Sequence, residues 1–422
     1  MTKPVAAIRT SLSERVELLE ATAKTLKAQG LIHRVAEDER LDGRSITLDG
    51  RSLINFGSCS YLGLETDARL KAAACEAVLR YGVQFSSSRA YVSAPLYAEF
   101  EALLSHLVGG LPLVLAQTTS LGHMAALPVL VSERDAVLYD TQVHNSVQAV
   151  LPTLKQQGTT CEPVAHNRLD RLEERARRLA LDHDRVFYLC DGVYSMHGDS
   201  VNSGELFALL DRQPTLHAYV DDAHGVGWAG RHGAGIVLGR GGLHPRMLVA
   251  LGLSKGFAAA GAAIVVPTPE LAQRLFTCGS TMIFSGPLQP AQLGAGIAAA
   301  RILLSDELPP MQRALLERIE LFDGVAAREG LAVKPCPPSP IRFVEVGREE
   351  TAMELCSALR TAGYFVNVAV FPAVPRRRAG VRLMLNRHQT LEDVRGLALE
   401  LSRLTARRDA QRASVAPEPL LV

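Results

Sequence analysis

The sequence predicts an α/β protein built on a mostly parallel central sheet with flanking helices, followed by a smaller α+β carboxy-terminal domain. Three observations carry that expectation. From residue 67 to about 300, short apolar runs alternate with helical segments. Several of those runs are apolar throughout, as in strands covered on both faces, rather than alternating. The residues just after the runs are polar, and in an open α/β sheet ligands bind outside the carboxyl ends of the strands. A length of 422 residues with 47% hydrophobic composition is enough for two to three domains.

Taken in order, residues 11–30 have helical spacing at Val16, Leu19, Ala23 and Leu26 and stop at Gly30, giving an amino-terminal arm. Asp49-Gly50 between two short runs of strand character signals a hairpin, because both central residues must tolerate positive φ. The apolar runs Leu113–Ala116, Ala136–Tyr139, Val186–Cys190, Ala218–Val220, Met247–Leu251 and Ala262–Val266 are the expected strands. Helices are expected over Leu121–Val131, Leu169–Leu181, Pro269–Phe276 and a long region from about 291 to 330. Beyond a Pro-rich stretch at 334–340 come a run at 341–346, a helix around Ala352–Ala362 and a run at 381–385. The expected division is 1–50 for the helical arm and hairpin start, 51–300 for the large domain, 301–408 for the small one and 409–422 for a tail.

Composition excludes several function classes. Lys and Arg number 45 against 44 Asp and Glu, so there is no overall basic footprint for nucleic acid. The seven cysteines are scattered with no Cys-x-x-Cys pair, which reads as reduced thiols rather than disulfides or a zinc site. His232 and His244 lack metal-ligand spacing, so no metal is expected. No signal-peptide core and no apolar run of about 18 residues is found, so the expectation is a cytoplasmic protein without a transmembrane segment.

The strand-end residues carry the chemistry. Lys255 is a single amine in a segment of Gly, Ala and aliphatic residues, where desolvation would make it a Schiff-base former; the alternative is a lysine snorkelling to solvent. Asp221 ends an apolar run with His224 three residues on, and a carboxylate buried there needs a cationic partner such as a pyridinium nitrogen; the alternative is a helix cap. His144, just past another run, can lie flat on a planar ring. Thr118, Thr119 and Ser120 precede a helix, and the hydroxyls and free amides of a helix amino terminus bind phosphate. Together these pieces specify pyridoxal 5′-phosphate.

The segments NFGSCSYLGL (55–64), DGVYSMHGD (191–199), VDDAHGVGWAGRHGAG (220–235), LSKGFAAAGAA (253–263) and VRLMLN (381–386) resemble the α-oxoamine synthase family of fold-type I pyridoxal-phosphate enzymes over roughly residues 45 to 400. That resemblance implies a fold-type I transferase that condenses an amino acid with an acyl thioester, on CoA or an acyl carrier protein. The product would be an α-aminoketone, usually formed with decarboxylation, and the enzyme a homodimer. It makes Lys255 the Schiff-base lysine and proton shuttle, with Ser254 beside it. Asp221 becomes the partner of the ring nitrogen, His224 a neighbour of the ring hydroxyl and His144 the stacking residue. The amides of Thr119 and Ser120 would hold the phosphate, and Arg382 would take the amino-acid carboxylate. Ser195 matches a position near the cofactor, and Asn55 and Tyr61 match the segment that crosses toward the site.

The chain departs from the family in three places. The Thr usual three residues before the lysine is Gly252, and the segment that normally brings a Ser-Thr pair from the neighbouring subunit reads Phe284-Ser285-Gly286-Pro287. The segment 84–101 contains no His, and Arg89 and Tyr91 there are candidate substrate contacts or members of a solvated loop. Arg376, Arg377 and Arg378 form either a solvated loop or a strip for acyl-donor phosphates. Rival readings are an aminotransferase on the same fold, a non-catalytic paralogue, and a serine hydrolase using Ser254 in Gly-x-Ser-x-Gly with His388.

Overall fold

The computed structural model describes residues 12–414 apart from Pro335; the first residue of the expected 11–30 helix and positions 415–422 of the expected tail lie outside the described residues. The arm is helical over Leu12–Ala28. The hairpin forms from β1 (Ser45–Leu48) and β2 (Arg51–Asn55), and both turn residues take the positive φ expected of them, 53° at Asp49 and 69° at Gly50.

The main sheet contains β3 (Leu113–Ala116), β4 (Ala136–Asp140), β5 (Thr160–Val164), β6 (Val186–Asp191), β7 (Leu216–Asp221), β8 (Met247–Gly252) and β9 (Ala262–Val265). Its order is β3-β9-β8-β7-β6-β4-β5, parallel from β8 through β5, with β9 antiparallel to both β3 and β8. Every position of β6 and β8 is buried. Alternate side chains of β6 enter different cores, with Val186, Tyr188 and Cys190 on one face and Phe187 and Leu189 on the other. Strand β5 was missed in the sequence because Thr-Cys-Glu-Pro-Val is short and polar and holds Pro163; it lies at the sheet edge, where a proline is tolerated.

In the carboxy-terminal part, β10 (Ile341–Gly347), β12 (Asn367–Ala369) and β13 (Ala379–Met384) form an antiparallel sheet in the order β10-β13-β12. Strand β11 (Tyr364–Phe365) pairs in parallel with β2, so the amino-terminal hairpin joins this part of the chain and not the main sheet. The expected long helix from 291 to 330 is two helices, Pro290–Leu303 and Leu308–Arg328, because Pro309 and Pro310 carry no amide hydrogen and so belong in the first turn of a new helix. The last helix, Leu391–Ser414, continues past Asp409, where the tail was expected to begin.

Behind the strand ends, Asp140 and Asp199 flank His166, at 2.9 Å from Nδ1 and 2.6 Å from Nε2. Burial alone would lower the imidazole pKa, but the two carboxylates outweigh it and raise the value to about 9. The folded state therefore holds a proton here that the unfolded chain releases near 6.5. This contribution to stability is complete below pH 6.5 and is lost as pH rises toward 9. We expect the melting temperature to fall across that window and His166→Gln to flatten the fall, as thermal unfolding at a series of pH values would record; parallel profiles would refute this.

Candidate active site

A cavity of about 350 Å³ opens at the carboxyl ends of β6, β7 and β8, and its wall includes Thr118, Thr119, Ser120, His144, Asp221, His224, Ser254 and Lys255. Eight of the sequence-predicted residues thus meet in one place. Four do not line it: Arg382, Tyr61, Ser195 and Asn55.

The expected phosphate cup lies at a helix amino terminus. The helix spans Thr119–Leu130, starting two residues before the expected Leu121, because Thr118 is the cap and its hydroxyl accepts from the Leu121 amide at 3.2 Å. Thr119 and Ser120 therefore occupy the first turn, where backbone amides have no partner within the helix and an anion is favoured.

Asp221 ends β7 and is buried. Its Oδ1 accepts from the Ala223 amide at 3.0 Å and its Oδ2 lies 3.0 Å from His123 Nε2. Burial would raise its pKa, but His123 and Lys255 overcome that and hold the carboxyl ionised, below the ordinary range. The sequence reading missed His123, which lies in the apolar run Leu-Gly-His-Met-Ala-Ala where a core histidine gives no signal. Its neighbour Asp191, at the end of β6, also lines the cavity and accepts from the His144 amide at 3.0 Å. Asp222 points away from the cavity, accepts from the Val237 amide at 3.2 Å, and is raised by burial to about 7.

His144 is exposed because its ring faces the open cavity, yet protein encloses it enough that burial lowers its pKa and keeps it neutral; Asp221 opposes this and Lys255 adds to it. His224 is buried, and desolvation together with Lys255 and Arg382 holds it well below the ordinary histidine range. Its Nδ1 is 2.7 Å from the Tyr61 hydroxyl, whose own pKa burial pushes up, so the phenol stays protonated in this contact.

Lys255 lies between the buried and the solvent-directed readings that the sequence left open. It is only partly buried, and its carboxylate neighbour comes from β7 in space and not from its own segment. The loop that carries it is placed by backbone contact: a Cβ on Gly227 would lie 2.4 Å from the Gly256 carbonyl carbon, and one on Gly256 would lie 2.7 Å from the Val226 carbonyl oxygen. The Asp221–Gly227 turn and the Ser254–Gly256 turn therefore touch main chain to main chain. After Ser254 the chain turns into β9 and forms no helix, and His388 is bound to Glu65 at 2.8 Å, so the nucleophile-elbow reading fails.

Arg382, on β13, is buried, and its Nε donates to the Ser195 carbonyl at 2.6 Å. Among the described residues it has no carboxylate partner, which leaves a buried guanidinium beside Cys59 and the Tyr61–His224 pair. Ser195 contributes this carbonyl rather than its hydroxyl, and Asn55 uses its side-chain oxygen on the Gly57 amide at 2.9 Å. Arg89 is paired with Glu101 at 2.9 Å and stacked 3.7 Å over Tyr97, and it does not line this cavity; Tyr91 is 88% exposed.

The two glycine departures have different causes. A Cβ on Gly252 would lie 2.6 Å from the Ala223 Cβ and 3.2 Å from the Thr119 hydroxyl, whereas one on Gly286 would meet nothing within 4 Å. Gly252→Thr is therefore expected to lower stability by about 1–3 kcal/mol without tightening cofactor binding. Thermal unfolding and a cofactor titration check this, and a variant as stable as the parent with a tighter cofactor would contradict it.

The family model for aminotransferases of class I and II matches residues 51–393. The chain is 30% identical over 371 residues to the 8-amino-7-oxononanoate synthase of Thermosipho melanesiensis, covering 87% of this chain and 92% of that one. It is 28% identical over 386 residues to the serine palmitoyltransferase of Sphingobacterium spiritivorum, covering 91% and 94%. The solved structure of Sphingomonas wittichii serine palmitoyltransferase superimposes with a TM-score of 0.86 at 22% identity, covering 95% of this chain and all of that one.

Proposed function

The chain belongs to the aminotransferase class I and II family, and on that premise we propose that it is a pyridoxal-phosphate-dependent acyltransferase. It condenses an amino acid with an acyl thioester, from acyl-CoA or an acyl carrier protein, to give an α-aminoketone. The observation that carries this reading is one cavity that gathers an amine, a buried anionic carboxylate, a histidine face and a helix amino terminus. The names of the full-length relatives favour condensation over transamination.

The residues fit the cofactor. Thr119 and Ser120 would hold its phosphate, Asp221 its ring nitrogen, His144 its ring face and Lys255 its aldehyde, with His224 near the ring hydroxyl. When bound, pyridoxal phosphate supplies an aldehyde for amines and a protonated ring that draws off negative charge from Cα. Arg382 would orient the substrate carboxylate through its guanidinium fork, with no internal carboxylate to displace. Lys255 Nζ would take the Cα proton and later return one, while Asp221 keeps a fixed negative charge on the far side of the cavity. Water has to be excluded so that the carbon nucleophile meets thioester and not a proton.

Exclusion of water supports a homodimer. The segments 84–93 and 280–286 are joined by the Ser88 hydroxyl donating to the Ile283 carbonyl at 2.8 Å, and Ser285 donates to Gln117 on the cavity wall at 3.0 Å. Tyr91 and Phe284 on these segments are 88% and 86% exposed, an apolar surface that a second copy would cover. We place the enzyme in the cytoplasm, a reading supported by seven unpaired cysteines. No helix among the described residues is long and apolar enough to cross a membrane.

The test is incubation of the holoenzyme with a panel of amino acids, first alone and then with acyl thioesters. A condensing enzyme releases free thiol and an aminoketone only when both substrates are present. Accumulation of pyridoxamine phosphate from amino acid alone would make it an aminotransferase, and no turnover with any pair would make it a non-catalytic paralogue.

A further inference from the structure

We propose that His123 is a positioning residue that decides which of two adjacent buried carboxylates, Asp221 or Asp191, carries the negative charge of the cavity. The proposal rests on the functional reading above. Asp191 and Asp221 are register partners at the ends of the parallel strands β6 and β7, about 4.8 Å apart at Cα by strand spacing. Both are buried and both line the cavity. Two like charges so close in a poorly solvated site oppose each other's ionisation, so one carboxyl keeps its proton and the donors around the pair choose which.

The donors are unequal. Asp221 has the Ala223 amide on one oxygen and His123 Nε2 on the other, each at 3.0 Å. Asp191 receives, among the described residues, the His144 amide alone. The ionised Asp221 carboxylate can only accept, so the ring nitrogen facing it, Nε2, carries a hydrogen, and the ring is held from behind by the Tyr219 hydroxyl 2.8 Å from Nδ1. The geometry follows from the strand period. Tyr219 and Asp221 are two residues apart on β7 and share a face, and the helix Thr119–Leu130 lies over that face with His123 fully buried in its second turn. The charge balance agrees, since Asp191 is pushed up by burial and by Asp221, while Asp221 is held down by His123 and then Lys255. The same helix that offers its amino terminus to the phosphate thus also holds the Asp221 carboxylate of the cavity wall.

The test uses two readouts on the full chain: the affinity of the apoprotein for pyridoxal phosphate, and the pH titration of the bound cofactor's absorbance. His123→Leu is expected to weaken affinity about tenfold or more and to move the titration, because the charge is then shared with Asp191. His123→Gln, whose amide can still donate to Asp221, is expected to stay close to the parent. Adding Asp191→Asn to His123→Leu is expected to recover most of the loss, because the remaining charge can lie only on Asp221. If His123→Leu does not fold, Tyr219→Phe provides the second measurement, with a smaller shift of the titration in the same direction. The proposal is overturned if a folded His123→Leu titrates like the parent, if His123→Gln is as damaging as His123→Leu, or if Asp191→Asn recovers nothing. A parent chain that takes up no pyridoxal phosphate would overturn the functional reading instead.

Discussion

Lys255→Ala is expected to lower kcat by about 10³-fold or more while leaving the fold intact. The side chain projects from a loop into the cavity rather than into the core, so its truncation opens no packing defect. What is lost is the one amine that lines the cavity among the described residues and could exchange a proton with substrate carbon. Borohydride treatment of the parent holoenzyme should fix the cofactor to the peptide that contains residue 255, and the alanine variant should yield no such adduct. Lys255→Arg should be as inactive as the alanine, because a guanidinium does not give up its proton near neutral pH. Unchanged turnover in either variant, or an adduct on another peptide, would remove Lys255 from the mechanism.

Asp221→Asn carries the second large effect, a loss of about 10²–10³-fold in kcat, the usual cost of removing one fixed electrostatic group from an enclosed site. Asparagine keeps the size of the side chain and can still accept from the Ala223 amide, so the change is one of charge. The cofactor absorbance should move together with kcat, and Asp221→Glu should recover part of the rate because it restores the charge at a displaced position. If the asparagine variant keeps its rate, or if glutamate is no better than asparagine at equal stability, the negative charge at the end of β7 is not what the reaction uses.

Much of this site was legible in the sequence because strand-end residues of a parallel sheet must converge. Once the apolar runs ending at 116, 139, 190, 220 and 251 were recognised, the polar residues after them had to share one edge, and Thr118–Ser120, His144, Asp221 and Lys255 did so. His123 and Tyr219 escaped that logic because they sit inside a helix and a strand, where a polar side chain among apolar ones looks like core until its partner is known. Lys255 was left open between a desolvated amine and one snorkelling to solvent; its small neighbours let two turns touch, and the amine stands in the cavity with a carboxylate from another strand. Arg89 was left open between a substrate contact and a solvated loop because Glu101 and Tyr97, which hold it, are separate in sequence.

The amino-acid sequence by itself determined six of the seven strands of the main sheet, the edge of the sheet on which chemistry gathers and the residue types found there, because these follow from local periodicity and from where polar residues interrupt it. The tertiary structure alone decided which buried groups are charged, which glycines are forced by their neighbours and which side chains are spent on internal contacts. Those properties depend on distances between segments far apart in the chain, and no local pattern encodes them.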